Sequence, residues 1–175
     1  ITVILGTTTD IQLNLDPQQD YGHPTMSINY NVFDPLYRLQ TGIFPDVKYV
    51  PCLAAGEPTI SANGLEWTIP LRKGVKFHDG TPFNASAYKF SIDRAKELNS
   101  YPIYLLDVIS RVEVVDDYMV KIVLKYTFAP LKGILSTPVS CPVSPSAVKK
   151  MTLEQFQEKP VGTGPFKYVE WVKGD

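Results

Sequence analysis

The sequence is short of the residues that most often carry chemistry. It has two histidines, His23 and His78, and two cysteines, Cys52 and Cys141, in 175 residues. Structural metal sites take their ligands in close pairs, and no such pair occurs, so neither a metal nor a cofactor is expected. No run reaches the ~18 apolar residues of a membrane span. An excess of one charge is also missing: 17 Lys and Arg stand against 18 Asp and Glu, a formal net charge of −1. Without a basic run, a nucleic-acid surface is excluded. Gly162-Thr163-Gly164 lacks the third glycine of a phosphate loop and precedes an expected strand, which excludes the nucleotide-binding reading. No repeat, low-complexity segment or signal peptide is evident, and Ile1 already reads as strand. Proline, by contrast, is plentiful. Fifteen prolines exceed the usual ~5% and point to many loops and sheet edges. A hydrophobic content of 44% fits a soluble globular protein, and the length suffices for one full core with two subdomains.

The most informative stretch runs from Leu65 to Asn84. Leu65, Trp67, Ile69 and Leu71 alternate with Glu66, Thr68, Pro70 and Arg72, the period of a half-buried strand. Asn63-Gly64 ahead of it predicts a type I′ turn with a hairpin partner over Pro58–Ser61. Turns follow at Lys73-Gly74 and Asp79-Gly80. Asn84 is placed to cap a helix running to about Leu98, with Tyr88, Ile92 and Ala95 as its buried stripe. The same capping role accounts for the glycosylation sequon Asn84-Ala85-Ser86.

Around this stretch, Ile1–Thr7 alternates as a first strand. Pro24 suits the first turn of a helix. Ile28, Val32, Leu36 and Leu39 recur at helical spacing, but Pro35 must end or kink that helix near Asp34. Arg111–Val115 and Tyr118–Lys125 predict a second hairpin across Asp116-Asp117. Short helices are expected over Phe128–Leu135, Pro145–Lys150 and Thr152–Glu158, and a closing strand over Gly164–Val172. Cys52 and Cys141 lie beside prolines in loop-like sequence, and either a disulfide or two buried thiols fits.

Leu71-Arg72-Lys73-Gly74-Val75-Lys76-Phe77-His78-Asp79-Gly80-Thr81-Pro82-Phe83 resembles the signature of the family 5 extracellular solute-binding proteins of ABC importers, which bind oligopeptides, dipeptides or nickel. Val50-Pro51-Cys52-Leu53-Ala54, Val161-Gly162-Thr163-Gly164-Pro165-Phe166-Lys167 through Trp171, and the helix ending at Asn31–Leu39 are similar to further family segments. Ala55-Gly56-Glu57 departs from the family's usual Glu-x-Trp. The resemblance implies an α+β, periplasmic-binding-protein-like lobe of the class with an extra subdomain, built from a mixed sheet, hairpins and packed helices. It places residues 1–42 and 160–175 in the main sheet and 43–159 in an inserted subdomain, with the second lobe outside the chain. It further implies a non-enzymatic protein, periplasmic or extracellular, free or lipid-anchored after removal of a leader.

Its expected partners are a peptide or similar solute and ABC permease subunits, with self-association of the isolated lobe. In the family, the loop before the first helix lines the cleft between lobes. Tyr21, His23, Thr25 and Met26 occupy that place, and Tyr101, Tyr104 and Ser140 fall in two further segments that resemble cleft-facing loops. Nickel-binding members share the spacing of Tyr21 and Met26, but an arginine of their second such loop has no counterpart here. Two other readings compete: a ligand-sensing receptor reusing the fold, and a hydrolase using His78 and Asp79. The bland account of that pair is a local turn.

Overall fold

The computed structural model describes residues 14–40, 42 and 46–171. The expected strand Ile1–Thr7 lies outside them. The first helix, α1 (His23–Val32), carries Pro24 in its first turn and stops at Phe33, whose backbone is extended (φ −121°, ψ 147°). Asp34 precedes Pro35, which bars it from the helical region. Leu36 therefore does not continue the helical stripe. It enters strand β1 (Tyr37–Leu39), which pairs antiparallel with β2 (Tyr49–Pro51), Tyr37 opposite Pro51. This hairpin was not expected from sequence, because three-residue strands are too short to show alternation.

The larger sheet among the described residues is four-stranded and antiparallel, and it lies within the expected insertion 43–159. Its order is β3 (Thr59–Ile60), β4 (Glu66–Pro70), β6 (Met119–Leu124) and β5 (Ile109–Asp116). Both expected hairpins form. The first uses a different turn: among residues 61–64 only Gly64 takes a positive φ, 71°, and its N–H bonds the Ser61 carbonyl at 2.8 Å. A turn followed by one left-handed residue is the alternative to type I′ in hairpins. Asn63 Oδ1 instead accepts from Ser61 Oγ and the Leu65 N–H.

Helix α2 (Ala85–Leu98) begins where expected. Asn84 accepts from the Ala87 N–H, and Asn99 ends the helix in the left-handed region. Tyr88, Ile92 and Ala95 are fully buried against Ile69, Ile109, Val112, Val120 and Ile122, which form one apolar core with Trp67 and Leu71. A smaller core joins Val32 and Phe33 to Val143, Ala147 and Phe156. It brings the end of α1 against α4 (Pro145–Lys150) and α5 (Leu153–Glu158). The helix expected over Phe128–Leu135 shortens to α3 (Leu131–Ile134), starting after Pro130. Residues 101–106 and 138–140 are 3₁₀ turns.

The described part of the expected closing strand Gly164–Val172 makes no strand pairing with the other described residues, and the expected first strand lies outside them. Its first residues bond the end of α1, Gly164 N–H to Val32 and Phe166 N–H to Asn31.

Candidate ligand-binding face

The signature stretch folds into a clasp. Phe77 and Phe83 are buried and meet edge to face, 6.2 Å apart. The turn between them is closed by the Phe77 N–H to the Thr81 carbonyl and the Gly80 N–H to the Phe77 carbonyl. His78 reaches the Gly162-Thr163-Gly164 segment twice. Its N–H bonds the Gly162 carbonyl at 2.9 Å, and Nε2 lies 2.8 Å from the Gly164 carbonyl oxygen. A carbonyl only accepts, so the ring proton sits on Nε2.

Asp79 turns elsewhere. Oδ1 accepts from the Thr81 N–H and hydroxyl, and Oδ2 accepts from Ser144 Oγ at 2.5 Å. Partial desolvation raises the Asp79 carboxyl, but the bonds from Ser144 and Thr81 outweigh it and hold it below the usual aspartate value. Ser144 in turn caps α4 by accepting from the Ala147 N–H. The local-turn account describes Asp79, which closes its turn through Thr81 and also binds Ser144, but not His78, whose partners are the distant Gly162 and Gly164. The two cysteines are free thiols. Burial raises both, and Asp34, beside Cys52 Sγ at 3.7 Å, raises that thiol further.

The candidate ligand residues fall elsewhere, on and around α1, the 101–106 turn and the 138–140 turn, the last of which both of the others approach. Tyr101 and Tyr104 are 77% and 55% exposed and pack edge to face at 5.7 Å. Tyr21 is half-buried; burial and the neighbouring Tyr104 raise its hydroxyl above the ordinary tyrosine value. Tyr30, 44% exposed, is raised by burial and then by Tyr21. It was missed in the sequence, although it falls one helical turn after Met26, the spacing that places two residues on one face. Met26 is half-buried. His23 opens α1.

Thr25 and Ser140 are both fully buried. Thr25 Oγ1 donates to Asp20 at 2.7 Å, and Ser140 Oγ donates to the Thr137 carbonyl at 2.9 Å. Both hydroxyls are thus engaged in local bonds, the first tying α1 to Asp20 and the second closing the 137–140 turn. Rigid amphipathic rings such as those of the tyrosines offer large contact area with a polar tip at each ring.

The sequence profile described as "Bacterial extracellular solute-binding proteins, family 5 Middle" matches residues 48–175. The chain belongs to this family. Among curated family members, it is 37% identical over 153 residues to the glutathione-binding protein GsiB of Pectobacterium atrosepticum, and 40% identical over the same length to that of Escherichia coli O1:K1. In each case the match covers 85% of this chain and 29% of the relative, so the chain spans under a third of these relatives' length. The fold is shared with NikZ from Campylobacter jejuni in complex with Ni(L-His), at a TM-score of 0.79 and 31% identity over 95% of this chain and 32% of that one. It is also shared with Listeria monocytogenes OppA bound to peptide, at a TM-score of 0.81 and 23% identity over 90% and 34%. The α+β lobe implied by the signature is therefore the fold of a family 5 solute-binding protein.

Proposed function

We propose that this chain forms one wall of the solute cleft of an ABC importer's binding protein, and that the solute is a short peptide. The observation that carries the reading is the convergence of Tyr21, Tyr30, Tyr101 and Tyr104 on one face of a family 5 lobe. Relatives at 37–40% identity named as glutathione-binding support the peptide class, as does the structure of Helicobacter pylori DppA in complex with a peptide, at 27% identity. The likeness to NikZ with Ni(L-His) supplies the competing solute. The rings and their polar tips suit a ligand with its own amides and apolar side chains. Delivery to permease subunits outside the cytoplasm follows from the same reading, with the protein free or lipid-anchored.

Within the lobe, we read residues 1–42 and 160–175 as the main part and 43–159 as an insertion. Pairing of β1 with β2 joins the two parts across the first boundary. Calorimetric titration of the intact protein tests the proposal, with glutathione, di- to pentapeptides and Ni(L-His) as titrants. Micromolar binding of glutathione or a short peptide is expected. Binding of Ni(L-His) with no response to any peptide overturns it.

A further inference from the structure

Arg94 stands apart from the tyrosine face, yet its charge is buried. It lies on α2, 7% exposed, with its guanidinium 5.2 Å from the Phe156 ring centroid. Nη2 donates to Asp16 Oδ2 at 2.6 Å, and Nη1 to Asp16 Oδ1 at 3.2 Å and Gln18 Oε1 at 2.5 Å. Asp16 and Gln18 are both fully buried. A buried ion pair is a weak stabiliser, because desolvation consumes most of the Coulomb gain, and apolar replacements are often as stable. What a bidentate pair supplies is fixed geometry.

The part it fixes can be followed bond by bond. The Asp16 carbonyl accepts from the N–H groups of Gln19 and Asp20, closing one turn. The Asp20 carboxylate then accepts from the Gly22 N–H at 2.8 Å and from the Thr25 hydroxyl at 2.7 Å. Tyr21 sits between these anchors. The Gln18 amide donates to the Ser91 carbonyl, and Gln157 donates to Gln19, so α2 and α5 hold the same turn from two sides.

We propose that Arg94, acting through Asp16 and the 16–20 turn, is the positioning residue that sets Tyr21 against Tyr104. Peptide affinity then depends on a guanidinium that never touches the peptide. The affinity part rests on the reading of the tyrosine face as a peptide wall. Lysine at this position keeps the charge but cannot make the planar two-point contact with Asp16 while also reaching Gln18.

The test uses the intact protein and two variants. Arg94→Met with Asp16→Asn removes both charges, leaves neither unpaired, and keeps a side-chain oxygen to accept from the buried Gln18 N–H; Arg94→Lys keeps the charge. Glutathione affinity is expected to fall about tenfold in the double variant, with cooperative melting retained, and by less in Arg94→Lys. Tyr21→Ala added to the double variant should cause little further loss, because a tyrosine no longer held in place contributes little. Unchanged affinity in the double variant, or a Tyr21→Ala loss that multiplies in full on top of it, overturns the proposal. A ligand-independent readout is the ¹⁹F resonance of 3-fluorotyrosine at position 21. It should shift in the double variant, and in Arg94→Lys if the double variant unfolds; an unmoved resonance overturns the positioning role. A wild-type protein that binds no peptide, with the resonance still shifting, overturns only the peptide-wall reading.

Discussion

At the scale of single residues, the family's most recognisable letters are structural joints. Gly162 is required by close approach: a Cβ there would lie 2.2 Å from the Val32 carbonyl oxygen and 2.5 Å from Phe33 Cδ1. The first of these is backbone at the end of α1, and the second is a buried ring, so neither yields easily. Gly162→Ala should therefore destabilise the protein by about 3 kcal/mol, the upper end for overpacking, read as a lowered urea midpoint. A midpoint unchanged from wild type would mean that the clasp and α1 are not in contact. Asp79 belongs to the same joint and carries a pH dependence. Its carboxyl is held below the usual value by the hydroxyls of Ser144 and Thr81, so the folded state binds its proton less readily than the unfolded chain. Its contribution is then full above the unfolded value of about 3.9 and is lost as pH falls through the lower folded value. Asp79→Asn should melt below wild type at pH 7, with the gap closing below about pH 4. A gap that is constant between pH 7 and pH 3 would show that the carboxylate's charge is not what the joint uses.

At the scale of elements, what could be read from the sequence was whatever one local rule decides. The strand Leu65–Leu71 alternates cleanly, and Trp67, Ile69 and Leu71 are buried with Leu65 packed against them. Asn84 caps α2, and Thr152 forms a full capping box with Gln155 at the start of α5. Each of these is settled by side chains within a few residues. The misreadings were decided at longer range. The β1–β2 hairpin depends on partners ten to fourteen residues away in strands too short to show a period. Tyr21, Tyr101 and Tyr104 stand out in the sequence as loop aromatics, while the other candidate ligand residues were proposed only through the resemblance. Tyr30 fell outside them because its place on the face depends on how α1 packs, not on its own neighbours in sequence. Trp67 offers the sharpest test of the part that was legible. Its ring is 6% exposed, and its indole N–H bonds the Gly64 carbonyl at 3.3 Å, so the side chain pins the first hairpin as well as filling the core. Trp67→Ala should cost about 3–5 kcal/mol, a large part of the ~5–15 kcal/mol of a typical domain. A cooperative melt at the wild-type midpoint would place the ring outside the core.

At the scale of the whole molecule, the decisive quantity is how much of a ligand one wall can hold. A small-molecule site buries some 70–90% of its ligand, which a single open face of tyrosines cannot do. The 153 matched residues correspond to 29% of the length of the glutathione-binding relatives, and on the proposed reading the opposite wall lies in the remainder. An intact protein binding at about 1 μM gains roughly −8 kcal/mol. With the favourable contacts divided about equally, this chain by itself retains on the order of −4 kcal/mol, a millimolar affinity. The remainder is smaller still, because the loss of translational and rotational freedom is not halved along with the contacts. The same argument predicts the chain's behaviour without ligand. Tyr30, Tyr101 and Tyr104 are each between 44% and 77% exposed, and an aromatic patch left open to water favours self-association. Calorimetry of residues 1–175 with glutathione and short peptides should therefore give no binding tighter than about a millimolar dissociation constant, and light scattering should show a mass that rises with concentration. Mutating Tyr101 and Tyr104 together to serine should return the mass to that of a monomer without lowering the melting temperature, since neither ring is part of the core. Sub-micromolar peptide binding by a strict monomer of residues 1–175 would show that one wall is enough, and the divided-site reading would then have to be given up.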